Sequence, residues 1–151
     1  MILRIAGIRR KSEFSPNHVG NDLQIINLTA RALQDAGAEV SLYDEESITP
    51  HFINEEVIFS MVQGPDGTRV LKQIAQRGPL IINSPQSVEN CYRVNMIRLL
   101  PEHGIPFPRS EVVATDSLLA KIPSGFSSHK VWIKRGDVHA VHKEDVTLAY
   151  T

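Results

Sequence analysis

The sequence has a single cysteine, no long apolar run and almost no net charge. Cys91 has no second cysteine with which to form an internal disulfide. No apolar run approaches the ~20 residues that span a bilayer, and arginines interrupt the apolar residues of Met1 to Lys11, where a secretory signal needs an unbroken core. The 16 Lys and Arg offset 17 Asp and Glu, so no global field attracts nucleic acid or an anionic membrane. We therefore expect a cytoplasmic protein that binds neither.

Two classes of site have no support in the sequence. Neither GxGxxG nor GxxxxGK[ST] occurs, so a Rossmann dinucleotide site and a P-loop are both unsupported. Ser84 and Cys91 have no base partner that the sequence identifies, so nucleophilic catalysis is unsupported as well.

Short apolar runs alternate with helical patterns over the first 85 residues. The apolar runs predict strands over 3–8, 38–43, 57–62 and 79–82. Apolar residues at helical spacing predict one helix from a cap at Asn21 or Asp22 to Gly37, and another from Pro65 to Gly78. Such alternation implies right-handed crossovers. The predicted fold is therefore α/β: a small, open, mostly parallel sheet in the order 2-1-3-4, with helices on both faces.

The pattern changes after residue 109. Strands are predicted over 110–114, 131–134 and 145–150, and a short helix over 116–122. The turn Gly104 to Pro108 carries two prolines and is predicted to be a hinge. We expect two domains, 1–109 and 110–151, of which the second is a small, truncated α+β lobe.

Two basic residues stand in contexts that suit phosphate binding. The segment 90–110, NCYRVNMIRLLPEHGIPFPRS, predicts a helix from about Cys91 to His103 that runs into a Gly-Ile-Pro turn, with Pro101 kinking its last turn. The segment VWIKRG predicts an apolar strand ending in Lys134. Arg93 on the helix and Lys134 on the strand can converge on the phosphates of a nucleotide.

This arrangement resembles the ATP-grasp superfamily, whose members show a basic residue at a helix start, then LL, then GIPxP, then a strand ending in lysine. Arg93 stands at the first lysine, Leu99 and Leu100 supply LL, Gly104 to Pro108 supply GIPFP, and Lys134 stands at the second lysine. The resemblance implies that residues 1–109 are a Rossmann-like, pre-ATP-grasp domain. It implies that residues 110–151 begin the ATP-binding lobe.

The resemblance also implies a function. Members of this kind use ATP and Mg²⁺ to join a small-molecule carboxylate to an amine through an acyl phosphate. Arg93 and Lys134 would then bind the ATP phosphates, and His139 is a further candidate for that role. The residues that hold magnesium in the family lie beyond residue 151, so we expect no metal ligands within this chain. We expect a fragment of a longer protein, inactive by itself.

The loop between the first strand and the first helix holds a second group of candidates. In open α/β sheets, ligands bind beyond the carboxyl ends of the strands, near helix N-termini whose N–H groups attract anions. Arg9, Arg10, Asn17 and His18 lie in this loop and are candidates for binding an acceptor substrate. A mobile surface loop is the alternative interpretation.

The densest group of metal-ligand types follows Lys134 and comprises Asp137, His139, His142, Glu144 and Asp145. Strand alternation places residues 137 and 139 on one face and residue 142 on the other, with no cysteine nearby. We interpret this group as a solvated hairpin, and phosphate contact by His139 is the second interpretation.

A different function class also fits the sequence. The chain could be a non-catalytic, flavodoxin-like domain that binds a small anion or a protein partner, with its basic residues simply solvated. The exposed apolar surface of a truncated second lobe would also allow self-association as a homodimer.

Overall fold

The computed structural model describes residues 2–114, 116, 126, 130–137 and 142–150. They form two compact units, Met1–Glu89 and Asn90–Thr151. The boundary between the two compact units thus falls after residue 89. The predicted domain boundary lies after residue 109 and stays a prediction. The strands and helices, in chain order, are β1 (Arg4–Arg9), α1 (Val19–Asp35), β2 (Glu39–Asp44), β3 (Val57–Ser60), α2 (Pro65–Ala75), β4 (Leu80–Ile82), α3 (Pro85–Asn90), α4 (Arg93–Glu102), β5 (Lys130–Lys134) and β6 (Val146–Tyr150).

The first unit is built on a four-stranded parallel sheet. Its strand order is β2-β1-β3-β4, and β1 pairs with both β2 and β3. This confirms the predicted α/β class, the parallel pairing and the order 2-1-3-4. The pairing also brings the last residues of β1 and β2, Arg9 and Asp44, side by side in register.

The main core of this unit lies between the sheet and α2. The β-branched side chains of Ile8 and Ile58 project from neighbouring strands and pack in one cluster with Leu71 and Ile74 of α2. All four are fully buried. Burying a side chain of this size contributes roughly 1.5–3 kcal/mol to stability, so this cluster fixes α2 against the strands.

Helix α1 packs against β1 and β2 through its buried residues Ile26 and Ala30. It begins at Val19 with His18 as its N-cap, so the predicted cap at Asn21 or Asp22 was late by three or four residues. The reason is that the Asp22 side chain accepts hydrogen bonds from side chains of the preceding loop instead of capping the helix. The predicted helix end is confirmed, because Gly37 has a φ of 93° and breaks the helix in the left-handed region.

In the second unit, the helix predicted from Cys91 to His103 begins later, as α4 at Arg93. A separate short helix, α3, ends at Asn90, and Tyr92 has extended backbone angles at the N-cap of α4. Pro101 lies within the last turn of α4. Its missing N–H costs one hydrogen bond, but the helix continues through it to Glu102 and stops before Gly104, whose φ of 70° lies in the left-handed region.

Strands β5 and β6 form an antiparallel pair, with Lys134 opposite Val146. The strand predicted over residues 110–114 was wrong: this segment has no regular structure, and Val112 and Val113 are exposed. A strand needs a partner for its N–H and C=O groups, and none of the described strands pairs with this segment. The helix predicted over 116–122 lies, except for Asp116, outside the described residues.

Within the described ranges, no helix has both the length and the apolar composition that crossing a membrane requires.

Candidate functional site

A cavity of about 500 Å³ opens at the carboxyl ends of β1 and β2, beside the first turn of α1. Its volume is in the range of small-molecule sites. Side chains of both charges, three serines and an apolar stripe of α1 line it: Arg9, Arg10, Lys11, Ser12, Ser15, Val19, Asp22, Leu23, Ile26, Asp44, Glu46 and Ser47. The structure thus brings Arg9 and Arg10, two predicted substrate-binding residues, to one cavity.

Asn17 and His18, the other two predicted residues, do not line this cavity. Asn17 has a φ of 67°, in the left-handed region that asparagine tolerates better than most residues. His18 is the N-cap of α1, but its side chain makes no capping hydrogen bond. Both residues therefore shape the entry into α1, and a role in binding substrate stays a prediction for all four residues.

Arg10 holds the loop after β1 in place. Its Nη1 atom donates to Oδ2 of Asp22 at 3.0 Å, and its Nε atom donates to the carbonyl of Met61 at 3.1 Å. The hydroxyl of Ser15 donates to the same Asp22 oxygen at 2.5 Å. Since this ion pair is mostly buried, with side chains 25% and 15% exposed, Arg10 joins β1, the end of β3 and α1.

Arg9 makes a looser ion pair at the cavity mouth. Its Nη1 atom lies 3.1 Å from Oδ1 of Asp44, whose side chain is 64% exposed. An arginine has five N–H donors and a carboxylate has two oxygens, so a single contact uses a small part of their capacity.

Glu45, which lies between two cavity-lining residues but does not itself line the cavity, is a buried residue that the sequence analysis missed. Its carboxylate is buried and accepts hydrogen bonds from the backbone N–H of Lys11 at 2.9 Å and of Gly64 at 3.1 Å. Gly64 is the N-cap of α2, so a negative side chain fills the place where that helix terminus would attract an anion. Burial raises the pKa of Glu45 above its ordinary value, and the backbone hydrogen bonds oppose this rise.

Glu45 begins a single helical turn, Glu45–Ser47, that directly follows β2. Nothing in the local pattern marks Glu45 as different from the exposed Glu46 beside it. The only available signal was its place directly after β2, at the sheet edge where ligands of this fold class bind.

In the second unit, the N-terminus of α4 contacts the loop that follows β5. The N–H groups of Arg93 and Val94 donate to the carbonyls of Asp137 and Gly136, at 3.3 and 2.8 Å. The Arg93 guanidinium donates to the carbonyl of Arg135 at 3.0 Å. The structure therefore holds Arg93 next to the residue that follows Lys134 in the chain.

The N-terminus of α4 can approach the loop this closely because residue 136 is a glycine and has no side chain. A Cβ atom there would lie 2.6 Å from Cγ1 of Val94, well inside van der Waals contact. The loop is also held by its own charges, because Arg135 lies 2.5 Å from Asp137 and 3.9 Å from Asp145.

Lys134 itself is exposed at the end of β5, on the same face as Trp132, which is 62% exposed. His139, the third predicted phosphate ligand, lies outside the described residues. His142 and Glu144 are exposed in the turn before β6. In the part of the chain that the structure describes, no group of three or more His, Cys, Asp or Glu side chains could hold a metal ion.

Comparison of the chain with protein-family models, with curated proteins and with solved structures gives no match.

Proposed function

We propose that this protein binds ATP through its phosphates in the second unit and takes part in ATP-dependent ligation of a carboxylate to an amine. The observation that carries the proposal is the hydrogen bond from the Arg93 guanidinium to the carbonyl of Arg135. It fixes one cation of the ATP-grasp-like pattern beside the strand end that carries the other, Lys134. Both residues come from segments that resemble the same family.

The chemistry of these residues fits a polyphosphate. A guanidinium offers a planar fork of donors to phosphate oxygens, and an ammonium offers a compact positive charge. Arg93 and Lys134 would hold the phosphates, and Trp132, on the same strand face as Lys134, offers an aromatic surface nearby. Bound ATP would supply the phosphoryl group that activates the carboxylate. The chain's own residues would neutralise and orient it.

The cavity of the first unit supports the ligation part of the proposal. An acceptor substrate needs its own site, and the carboxyl edge of a parallel sheet is where such sites occur. The cavity beside Arg9 and Arg10 lies there. A cytoplasmic location is part of the proposal, supported by the lone Cys91, which is exposed and unpaired.

The test is calorimetric titration of the full-length protein with ATP and Mg²⁺, and with adenosine as the matched ligand that lacks phosphates. We expect ATP to bind and adenosine to bind at least about tenfold more weakly, because charge-assisted hydrogen bonds to phosphate supply most of the affinity. Equal affinities, or no heat with ATP, would refute the proposal. The non-catalytic α/β binding domain would then be the better account.

A further inference from the structure

The charges of the cavity in the first unit are balanced, which does not suit a simple anion. Three cationic side chains line it, and so do three carboxylates. A site for a free carboxylate or phosphate would present an excess of positive charge. A ligand that carries both charges is the better match for a lining of this kind.

Two of the three cations are already committed to structure. Arg10 is bound to Asp22 and to the carbonyl of Met61, away from bulk water. Lys11 lies 2.6 Å from the carboxylate of Glu13, which raises the pKa of the lysine. Arg10 cannot turn to a ligand without breaking these contacts, and Lys11 is paired with Glu13, which does not line the cavity, so Arg9 is the cation best placed to bind one.

The Arg9–Asp44 pair has unused donors and acceptors on both partners. Among the described residues, the one hydrogen bond of the Arg9 side chain is from Nη1 to Oδ1 of Asp44. Its Nε and Nη2 atoms can therefore donate hydrogen bonds to a carboxylate, while Oδ2 of Asp44 can accept one from an ammonium group. Because the two residues end neighbouring parallel strands in register, the positive and negative groups lie side by side at a fixed spacing.

Part of the cavity wall is apolar. Val19, Leu23 and Ile26 recur at spacings of four and three along α1 and all line the cavity. Val19 and Leu23 are each 41% exposed. An aliphatic group placed against them would remove this surface from water, at roughly 25 cal/mol per Å².

We propose that this cavity binds an α-amino acid with an aliphatic side chain, whose carboxylate pairs with Arg9, whose ammonium pairs with Asp44 and whose side chain contacts α1. The identification of this amino acid as a substrate rests on the proposed ligase function. Its binding does not, since the cavity lies wholly within the first unit.

The experiment is calorimetric titration of the full-length protein, without ATP, with three compounds that share the isobutyl side chain of leucine. L-Leucine carries both charged groups, 4-methylpentanoate lacks the amine and 3-methylbutylamine lacks the carboxylate. We expect leucine to bind at least about tenfold more tightly than either analogue, because each analogue loses a charge-assisted contact.

Variants identify the two partners. In Arg9→Ala, leucine should bind no better than 3-methylbutylamine. In Asp44→Asn, it should bind no better than 4-methylpentanoate. Arg31→Ala and Asp35→Asn, exposed on α1 and outside the cavity lining, are the controls and should bind leucine like the wild type. Circular dichroism checks that each variant is folded, and either cavity variant alone suffices for the test.

Three results would overturn the inference: no heat from leucine, binding of leucine no tighter than that of either analogue, or unchanged leucine affinity in either folded cavity variant. Leucine binding in a protein that does not bind ATP would support this site and refute the ligase proposal. ATP binding without leucine binding would do the reverse.

Discussion

Glu45 shows why single buried residues next to this site escape sequence analysis. Arg9 and Arg10 could be found because they directly follow an apolar run, at the edge where this fold class binds ligands. Glu45 is defined by partners 34 and 19 positions away, Lys11 and Gly64. No local pattern encodes contacts of that range, so its burial became visible only in the folded chain.

We expect Glu45→Ala to lower the free energy of unfolding by about 1–3 kcal/mol, because the buried N–H groups of Lys11 and Gly64 lose their acceptor. The exposed neighbour gives the control, and Glu46→Ala should change stability by less than about 0.5 kcal/mol. Urea denaturation at pH 7 measures both. Similar values for the two variants would mean that Glu45 is not a structural link.

Glu45 also predicts a pH dependence. Burial raises its pKa in the folded state, so the folded protein binds more protons at this site than the unfolded chain does. Its contribution to stability is therefore fully present below the ordinary pKa of 4.5 and is lost as pH rises through the raised value. Relative to Glu45→Gln, which cannot titrate, the wild type should lose stability across this window. Denaturation of both proteins from pH 4 to pH 8 measures the difference. If the wild type instead gained stability relative to Glu45→Gln as the pH rises, the direction of the pKa shift would be contradicted.

Gly7 is required by packing within the sheet. A Cβ atom at this position would overlap the side chains of Phe59 and Leu42 from the two neighbouring strands. We expect Gly7→Ala to cost about 1–3 kcal/mol of stability, the range for overpacking a core. Gly20→Ala is the control, because nothing lies within 4 Å of its added methyl group and alanine favours the helix. Thermal unfolding of both variants should show opposite shifts in Tm, and a stable Gly7→Ala would show that the strands can separate locally.

Among the elements, the sequence located β1 to β4, α1 and α2 of the first unit, but it did not predict α3 and missed details that depend on partners. Apolar runs predicted β1 to β4 because buried parallel strands are apolar on both faces. The wrong strand over 110–114 has the same local character as the correct one over 130–134. The difference is β6, which pairs with β5 and leaves no strand for the earlier segment in the described part of the chain. A local apolar pattern reflects only the composition of its own segment, whereas strand pairing depends on segments elsewhere in the chain.

The contact between α4 and the loop after β5 can be tested by a double-mutant cycle. Gly136→Ala should destabilise the protein by about 1–3 kcal/mol, because its methyl group meets Cγ1 of Val94. In a Val94→Ala background the same change should cost clearly less, since the obstructing group is gone. Urea denaturation of the four proteins gives the coupling free energy. A coupling of zero would contradict the close approach of Val94 in α4 to Gly136 in the loop after β5.

At the scale of the whole molecule, each compact unit carries one half of the proposed reaction. The first unit holds the cavity with the Arg9–Asp44 pair, and the second holds Arg93 against the loop that follows Lys134. The sequence predicted the fold class and order of the sheet from alternation alone. It predicted the phosphate-binding roles of Arg93 and Lys134 from resemblance, and those roles stay a proposal.

The most direct test of the central claim is calorimetric titration of ATP and Mg²⁺ into full-length protein carrying Lys134→Ala. If Lys134 contacts a phosphate, the change should weaken ATP binding by about 1–3 kcal/mol, or roughly five- to 150-fold, because one charge-assisted hydrogen bond is lost. Lys143→Ala, in the exposed turn before β6 of the same unit, is the matched control and should bind ATP like the wild type. Equal ATP affinity for the wild type and Lys134→Ala would contradict the account.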